Sequence, residues 1–374
     1  MIKAIKRSLQ WLLKKPVTWI ADRFSSAPDK VKVHQGLSSL YHSICHQPGE
    51  KGMIFDFRPD QHPVIIFSDH HKGARDGSDD FGPAEKNYLA ALEYYDKNNY
   101  HYLSLGDSEE LWENNIFSVL KHNEATFEAE KVFVDRNAFY KVFGNHDLYW
   151  DNDPFAGLAL KKMYGRSVKI HTGVILRARL PATTLDIFCT HGHQGDAQSD
   201  GNAFSKWFVT YVWGPLQGFL EINTNTPAAS ENMKTLHNDL MYQWSAVQND
   251  LLLITGHTHQ PVFNSLTHLE RLYLQRELAM EKNDAELLAR VENEIPRRKK
   301  EYGHVSSNYR EMKPSYFNVG CCCFDDGTIT GIEIAGGDIR LIKWYYQDGV
   351  PTRQVLEEDN LLSLSERMEN SPGI

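Results

Sequence analysis

The sequence predicts an α/β layered fold, and three observations carry that prediction. Short apolar runs of strand length recur along the chain. An amphipathic helix separates two of them, and each run stops abruptly at polar residues able to bind metals. Apolar runs of this length suit strands buried between helices. In folds built this way ligands gather just beyond the carboxyl ends of the strands, so polar residues at several such ends predict one shared site.

In chain order, the region up to about Gly52 reads as a helical preface, interrupted by Pro16 and closed by Pro48-Gly49. Within it, Met1 to Leu13 sets Ile2, Ile5, Leu9, Leu12 and Leu13 on one helical face, with Lys3, Lys6, Arg7 and Gln10 opposite. Such a basic amphipathic helix suits the surface of an anionic membrane, and it suits packing on its own domain equally well. Lys14 and Lys15 cut the apolar stretch too early for a signal peptide. Nothing elsewhere approaches the ~20 uninterrupted apolar residues of a membrane span.

The strands follow. Val64-Ile65-Ile66-Phe67 runs into Ser68-Asp69-His70-His71, and Tyr102-Leu103-Ser104-Leu105 into Gly106-Asp107. Phe139 to Phe143 runs into Gly144-Asn145-His146-Asp147, and Leu185 to Cys189 into Thr190-His191-Gly192-His193. Leu251 to Ile254 runs into Thr255-Gly256-His257-Thr258-His259. Between the first two, Pro83 to Lys97 supplies the helix, with proline near its first turn and Tyr88, Leu89, Leu92 and Tyr95 at helical spacing.

Two segments interrupt this pattern. Ala197 to Val247 is rich in aromatic residues: Phe204, Trp207, Phe208, Tyr211, Trp213 and Phe219. Ser265 to Lys313 is charged and helical in pattern, with Leu266, Leu269, Tyr273 and Leu278 as an apolar stripe and a basic run from Arg297 to Lys300. Alternation returns from Tyr316 to Tyr346, with Asp326-Gly327 as a hairpin turn signal. The organisation expected is an N-terminal segment over 1–52, a catalytic domain over 53–350 carrying both inserts, and a tail over 351–374.

Across its 374 residues the chain is 41% hydrophobic and 24% charged, enough apolar content to bury a core. A net charge of −9 gives no support to a nucleic-acid partner. The cysteines are Cys45, Cys189 and the run Cys321-Cys322-Cys323, without the paired spacing of a disulfide framework. The run also lacks the spacing of a thiolate zinc site and reads as a buried strand. A reducing compartment follows, so the expected location is cytoplasmic, with peripheral contact at the inner membrane face if the N-terminal helix binds lipid.

Two divalent metals ~3.5–4 Å apart need a bridging carboxylate, further ligands on each side and an open position for water. Aspartate, histidine and an asparagine carbonyl suit borderline metals such as manganese, iron or zinc. The strand ends offer such a set in Asp69, His71, Asp107, Asn145, His191, His257 and His259. Singly each is weak, because a lone histidine is more often a hydrogen-bonded structural residue. Their order, each directly after an apolar run, carries the inference.

The succession D-x-H, G-D-x-x-E, G-N-H-D, H-G-H and G-H-T-H resembles the five blocks of the calcineurin-like metallophosphoesterases, over roughly Val64 to Ile334. That resemblance implies a central β-sandwich flanked by helices. It also implies two divalent ions, with manganese expected and iron or zinc as alternatives. Asp69, His71 and His259 would hold the first ion; Asn145, His191 and His257 would hold the second; Asp107 would bridge them. A hydroxide between the ions would attack phosphorus in line while the metals offset charge on the phosphoryl oxygens. His146, beside Asn145, is the candidate to protonate the leaving group, and Glu110 is placed to orient its imidazole.

Several branches fit poorly. Glu110-Leu111-Trp112 and Asp147 replace the elements typical of protein Ser/Thr phosphatases, and Glu110 stands where purple acid phosphatases have tyrosine. Leu105 to Trp112 is most similar to the UDP-2,3-diacylglucosamine pyrophosphohydrolases, which also carry a helical lid and attach peripherally to membranes. That branch commonly has arginine where this chain has His146. The likeness implies hydrolysis of a phosphodiester or pyrophosphate bond in a nucleotide-linked lipid. A phosphodiesterase or phosphatase acting on a nucleotide or other small molecule is the second reading, and a non-catalytic scaffold is the third.

Overall fold

The computed structural model describes residues 29–75, 79–112, 114–181, 183–195, 231–299, 302, 305–306 and 309–370. The Met1–Leu13 helix and the aromatic positions from Phe204 to Phe219 lie outside them. The first half of the chain gives α1 (Lys30–His46), β1 (Gly52–Phe57), β2 (Val64–Phe67), α2 (Glu85–Lys97), β3 (His101–Leu105), α3 (Ile116–His122), α4 (Glu124–Asp135), β4 (Phe139–Val142), α5 (Tyr149–Asn152), α6 (Ala156–Tyr164), β5 (Ile170–His171), β6 (Gly173–Arg179) and β7 (Thr184–Thr190). The second half gives α7 (Glu231–Ala246), β8 (Leu251–Thr255), β9 (Val262–Phe263), β10 (Leu266–Thr267), α8 (His268–Lys282), α9 (Ala285–Arg298), β11 (Tyr316–Asn318), β12 (Ile329–Ala335), β13 (Asp338–Gln347), β14 (Val350–Asn360) and α10 (Leu361–Asn370).

These strands form two sheets, ordered β1-β6-β7-β8-β11-β9-β10 and β14-β13-β12-β2-β3-β4-β5. The five strands read from the sequence are all present but divided, with β2, β3 and β4 parallel in one sheet and β7 and β8 parallel in the other. Period-two alternation explains the layering. Val64 and Ile66 join Val174, Leu176, Ile187 and Leu252 in the core between the sheets. Ile65 and Phe67 face outward, against Tyr88, Leu92 and Tyr95 of α2. On the far side of the other sheet, Val33, Leu37 and Ile44 of α1 pack with Trp244 of α7 on Ile175 and Phe188. The result is a β-sandwich with helices on both outer faces.

Local rules account for the helix starts. The Asp29 carboxylate caps α1 by accepting from Val31 N and Lys32 N. Thr267 and Glu270 form a reciprocal capping box at α8. Leu269 and Leu272 of α8 meet Val291 and Ile295 of α9 in their own small core, whereas Leu278, read as part of the same apolar stripe, is exposed. No described helix is long and apolar enough to cross a membrane.

Three sequence readings are corrected. The cysteine run is buried but is not a strand, because its backbone pairs outside any ladder: Cys322 N donates to Ser68 O and Asp69 O (both 3.1 Å). Asp326-Gly327 is a turn entering β12, while the hairpin bend falls at Gly336-Gly337, between the paired residues Ala335 and Asp338. Residues 351–370 are no tail: β14 pairs along β13, and Leu361, Leu364 and Met368 of α10 enter the core between the sheets.

Beneath the strand ends lies a fully buried ion cluster. Lys72 Nζ donates to Glu130 Oε1 (2.6 Å) and stands 3.3 Å from Glu109, and Lys141 Nζ donates to Glu109 (3.0 Å). Tyr88 and Tyr164 donate their hydroxyls to Glu130 (2.7 and 2.6 Å), and Trp150 Nε1 donates to Glu109 (2.8 Å). Two cations and two anions balance, and removing one would leave an unpaired buried charge. Lys72→Met is expected to cost about 3–5 kcal/mol in urea denaturation. The double variant Lys72→Met/Glu130→Gln should recover part of that loss; additive losses would show the two groups are not coupled.

Candidate metal centre

The loops after β2 and β3 continue side by side beyond the strands. Asp69 N donates to Gly106 O (3.0 Å), His71 N to Asp107 O (3.0 Å) and Lys72 N to Ser108 O (3.1 Å). The other sheet brings its own ends to meet them: Gly256 N donates to His191 O (3.0 Å), and His257 N to Asp69 Oδ2 (3.0 Å). The backbone is bent hard here. Asp69, His71, Asp107, His257 and His259 all have left-handed φ, between 48° and 68°. Such conformations cost on the order of 1–3 kcal/mol each in non-glycine residues and cluster at functional sites. A Cβ on Gly144 would collide with the Asp107 carboxylate, and one on Gly256 with Ser68 and Asp69. Glycine in G-N-H-D and G-H-T-H is thus a matter of close approach.

All seven sequence-selected residues come together. His191 Nδ1 donates to Leu105 O (3.0 Å), so in the neutral ring Nε2 presents a lone pair. That nitrogen stands 3.1 Å from Asp107 Oδ2 and 3.2 Å from Asn145 Oδ1, two more electron-rich atoms. His71 repeats the arrangement. Its Nδ1 donates to Glu110 Oε2 (3.0 Å), and its Nε2 lies 3.3 Å from His259 Nε2, itself 3.2 Å from Asp69 Oδ1. Lone pairs converging in this way need a cation between them. Ligand atoms of Asp107, His191 and His257 form one cluster within 4.8 Å, and those of His71, Asp107 and His146 form another. Asp107 belongs to both.

The family model of calcineurin-like phosphoesterases matches residues 62–261, more than half of the chain. The chain belongs to that family. No curated protein matches it. Among solved structures, vacuolar protein sorting 29 from Cryptosporidium parvum aligns at 13% identity and a TM-score of 0.32, covering 80% of this chain and 98% of that one. A single mutant of Vps29 from Entamoeba histolytica aligns at 12% identity and a TM-score of 0.30, covering 79% and 99%.

Within this calcineurin-like centre the field is strongly negative. Burial opposes charge on His71 and His191, yet the surrounding carboxylates overcome it. Glu110, Asp107 and Asp69 push His71 up to about 10, and Asp107, Asp69 and Asp147 push His191 up to about 9. A proton and a divalent cation answer the same field, so they compete for these nitrogens. Against its own burial, Glu110 is held down at about 2 by the imidazoles of His146 and His71.

Several contacts around the site escaped sequence reasoning. Glu110 was expected to orient His146, and it does accept from His146 Nδ1 (2.7 Å), but the same oxygen also accepts from His71. Trp112 stacks on His146, with centroids 4.1 Å apart and planes at 21°. The Asp147 carboxylate accepts from Ser108 N (2.9 Å) and from Gly144 N, tying together the loops that carry Asp107 and Asn145. From α7, His237 Nε2 donates to Gly192 O (2.7 Å), and its ring lies 5.1 Å from that of His257. Cys323 Sγ lies 3.7 Å from His259 Nδ1. Glu110 had a local signal, its position three residues after Asp107, and Asp147 and Trp112 lie within the quoted motifs without a role being read for them. His237 and Cys323 reach the site by tertiary contact.

Proposed function

We propose that this protein hydrolyses a phosphodiester or pyrophosphate bond with two divalent ions, on a phosphate-containing substrate that includes a nucleotide-linked lipid. The observation that carries the reading is the position of Asp107. Its Oδ2 stands 3.1 Å from His191 Nε2 and 4.0 Å from His71 Nε2, between the two ligand clusters. When bound, a pair of divalent ions at such a centre supplies an activated water and offsets charge on the phosphoryl oxygens.

The chain's own residues do the rest. Asp69, His71 and His259 would hold the first ion, Asn145, His191 and His257 the second, and Asp107 would lie between them. His146 gives a proton to the leaving oxygen, and Glu110 fixes the His146 and His71 rings together. His146 and His259 keep 20% and 21% of their side chains exposed, against 0–7% for Asp69, His71, Asp107 and His191. Substrate therefore approaches from the His146–His259 side. The lipid part of the reading rests on the similarity of Leu105 to Trp112 to enzymes acting on such substrates.

A substrate panel tests this. The full chain, loaded with manganese, is assayed on a monoester, a diester and pyrophosphate-linked substrates, one of them lipid-linked. Chelation should abolish turnover, and the diester or pyrophosphate substrates should be cleaved faster than the monoester. Cleavage of water-soluble nucleotides with none of the lipid-linked substrate would remove the lipid part. No hydrolysis with manganese, iron or zinc would leave a scaffold in place of an enzyme.

A further inference from the structure

The run Cys321-Cys322-Cys323 is not absorbed by the proposed reaction, yet its third thiol stands at the metal centre. Its placement follows from backbone bonds. Cys321 N donates to Thr330 Oγ1 (3.2 Å), and Thr330 N donates back to Cys321 O (3.0 Å). Cys322 N donates to Ser68 O and Asp69 O (both 3.1 Å), which fastens the run to the strand end that carries Asp69. Cys322 turns its side chain into the core beneath α2, with Ile65 and Phe67. Cys323 turns the other way, buried at 8% exposure, with Sγ 3.7 Å from His259 Nδ1.

That contact alone would fit a thiol lying behind the imidazole. The wider geometry places it elsewhere. Cys323 Sγ and ligand nitrogens of His71 and His259 all fall within 4.8 Å of one another. His71 lies on the Nε2 side of His259, with the two Nε2 atoms 3.3 Å apart. A thiol behind the ring would be much farther from His71, so sulfur and His71 share one edge of it. A zinc ion lies about 2.3 Å from a thiolate and 2.0–2.1 Å from a histidine nitrogen, so one ion spans such a pair up to about 4.4 Å. The sulfur contacts Nδ1, so sharing an ion held at His259 Nε2 requires the thiol to move along the ring edge toward His71.

We propose that Cys323 is a thiolate ligand of the first cation, beside Asp69, His71 and His259. The inference rests on the two-metal reading above and deepens it. As the metal–sulfur bond forms, the thiol proton leaves to solvent, and the sulfur keeps the electron pair that it shares with the ion. A donor set of nitrogen, oxygen and sulfur favours zinc or iron over manganese at this position, because the softer thiolate suits the softer metals. Manganese remains suited to the second position, whose donors are nitrogen and oxygen.

Cobalt(II) reports thiolate ligation directly, without turnover. The full chain is stripped with a chelator and titrated with cobalt, while bound metal is counted and the near-ultraviolet spectrum recorded. An intense sulfur-to-cobalt charge-transfer band is expected. Cys323→Ser and Cys323→Ala should each lose that band while retaining two bound cobalt ions and native circular dichroism. Their preference for zinc over manganese should fall about 10–100-fold, the scale on which groups around a metal tune its affinity. Two bound ions without the band in the unaltered chain would overturn the inference and leave the phosphoesterase reading standing. A band persisting in both variants would move the ligand to another cysteine and overturn it equally. Failure to bind cobalt at all would overturn both readings.

Discussion

Asp107→Ala should leave a folded chain that holds neither cation firmly and has lost its phosphoesterase activity. Two unit charges 4 Å apart interact by about 4 kcal/mol at an effective dielectric of 20, so two divalent ions repel by about 16 kcal/mol. A carboxylate between them offsets this repulsion, because each ion meets it at roughly half that distance. Asp107 is the carboxylate proposed for that place, and its second oxygen, Oδ1, accepts from His146 N (2.7 Å). The side chain therefore supports the bridge and the G-N-H-D loop together. Asp107→Asn separates the two roles: it keeps the shape and removes the charge, so metal should be lost while the loop stays in place. Turnover should fall by on the order of 10²–10³ or more, the cost of deleting one preorganised electrostatic group. Metal analysis finding two tightly bound ions in both variants would refute the bridging role.

The seven candidate ligand positions, which the structure brings together, were legible because each follows an apolar run and because residue order survives folding. The strands were legible for the same reason: Val64 to Phe67 and Leu251 to Ile254 are too short for helices and too apolar for loops. The division into two sheets was not readable from those runs. It depends on which strands pair, and β1 finds its partner β6 only some hundred residues later. Residues of β14 such as Glu357, Glu358 and Asp359 hid it within an apparent tail, because an edge strand need bury little.

Around the site, the unread residues share one property: their partners are distant in sequence. Lys141 sits inside a strand, where a lysine reads as solvent-facing, yet it is fully buried because Glu109, 32 residues earlier, receives its charge. Cys323 meets His259 across 64 residues. Its own run looked like a strand because cysteine is a small apolar residue, and nothing local revealed that the backbone bonds to the β2 loop.

His146→Ala should keep both metals and lower turnover by roughly 10²–10⁴-fold, the scale of a positioned general acid. The ring is fixed on two sides, by Trp112 stacked at 4.1 Å and by Glu110 accepting from Nδ1 at 2.7 Å. With Nδ1 so occupied, Nε2 is the nitrogen that meets the substrate. Against its burial, Glu110 and Asp107 raise the His146 pKa, which favours the protonated ring that an acid requires. The loss should shrink for substrates whose leaving group departs without help, such as nitrophenolate, and stay large for an alcohol or a phosphate of high pKa. Glu110→Gln should behave differently, because Glu110 also accepts from His71, a proposed ligand. It should weaken the first metal by about 10–100-fold, as the loss of outer-shell support does elsewhere, and slow turnover even when metal is in excess. The two variants thus separate proton delivery from metal support. Equal losses for good and poor leaving groups in His146→Ala would show that the imidazole binds phosphate and does not deliver the proton.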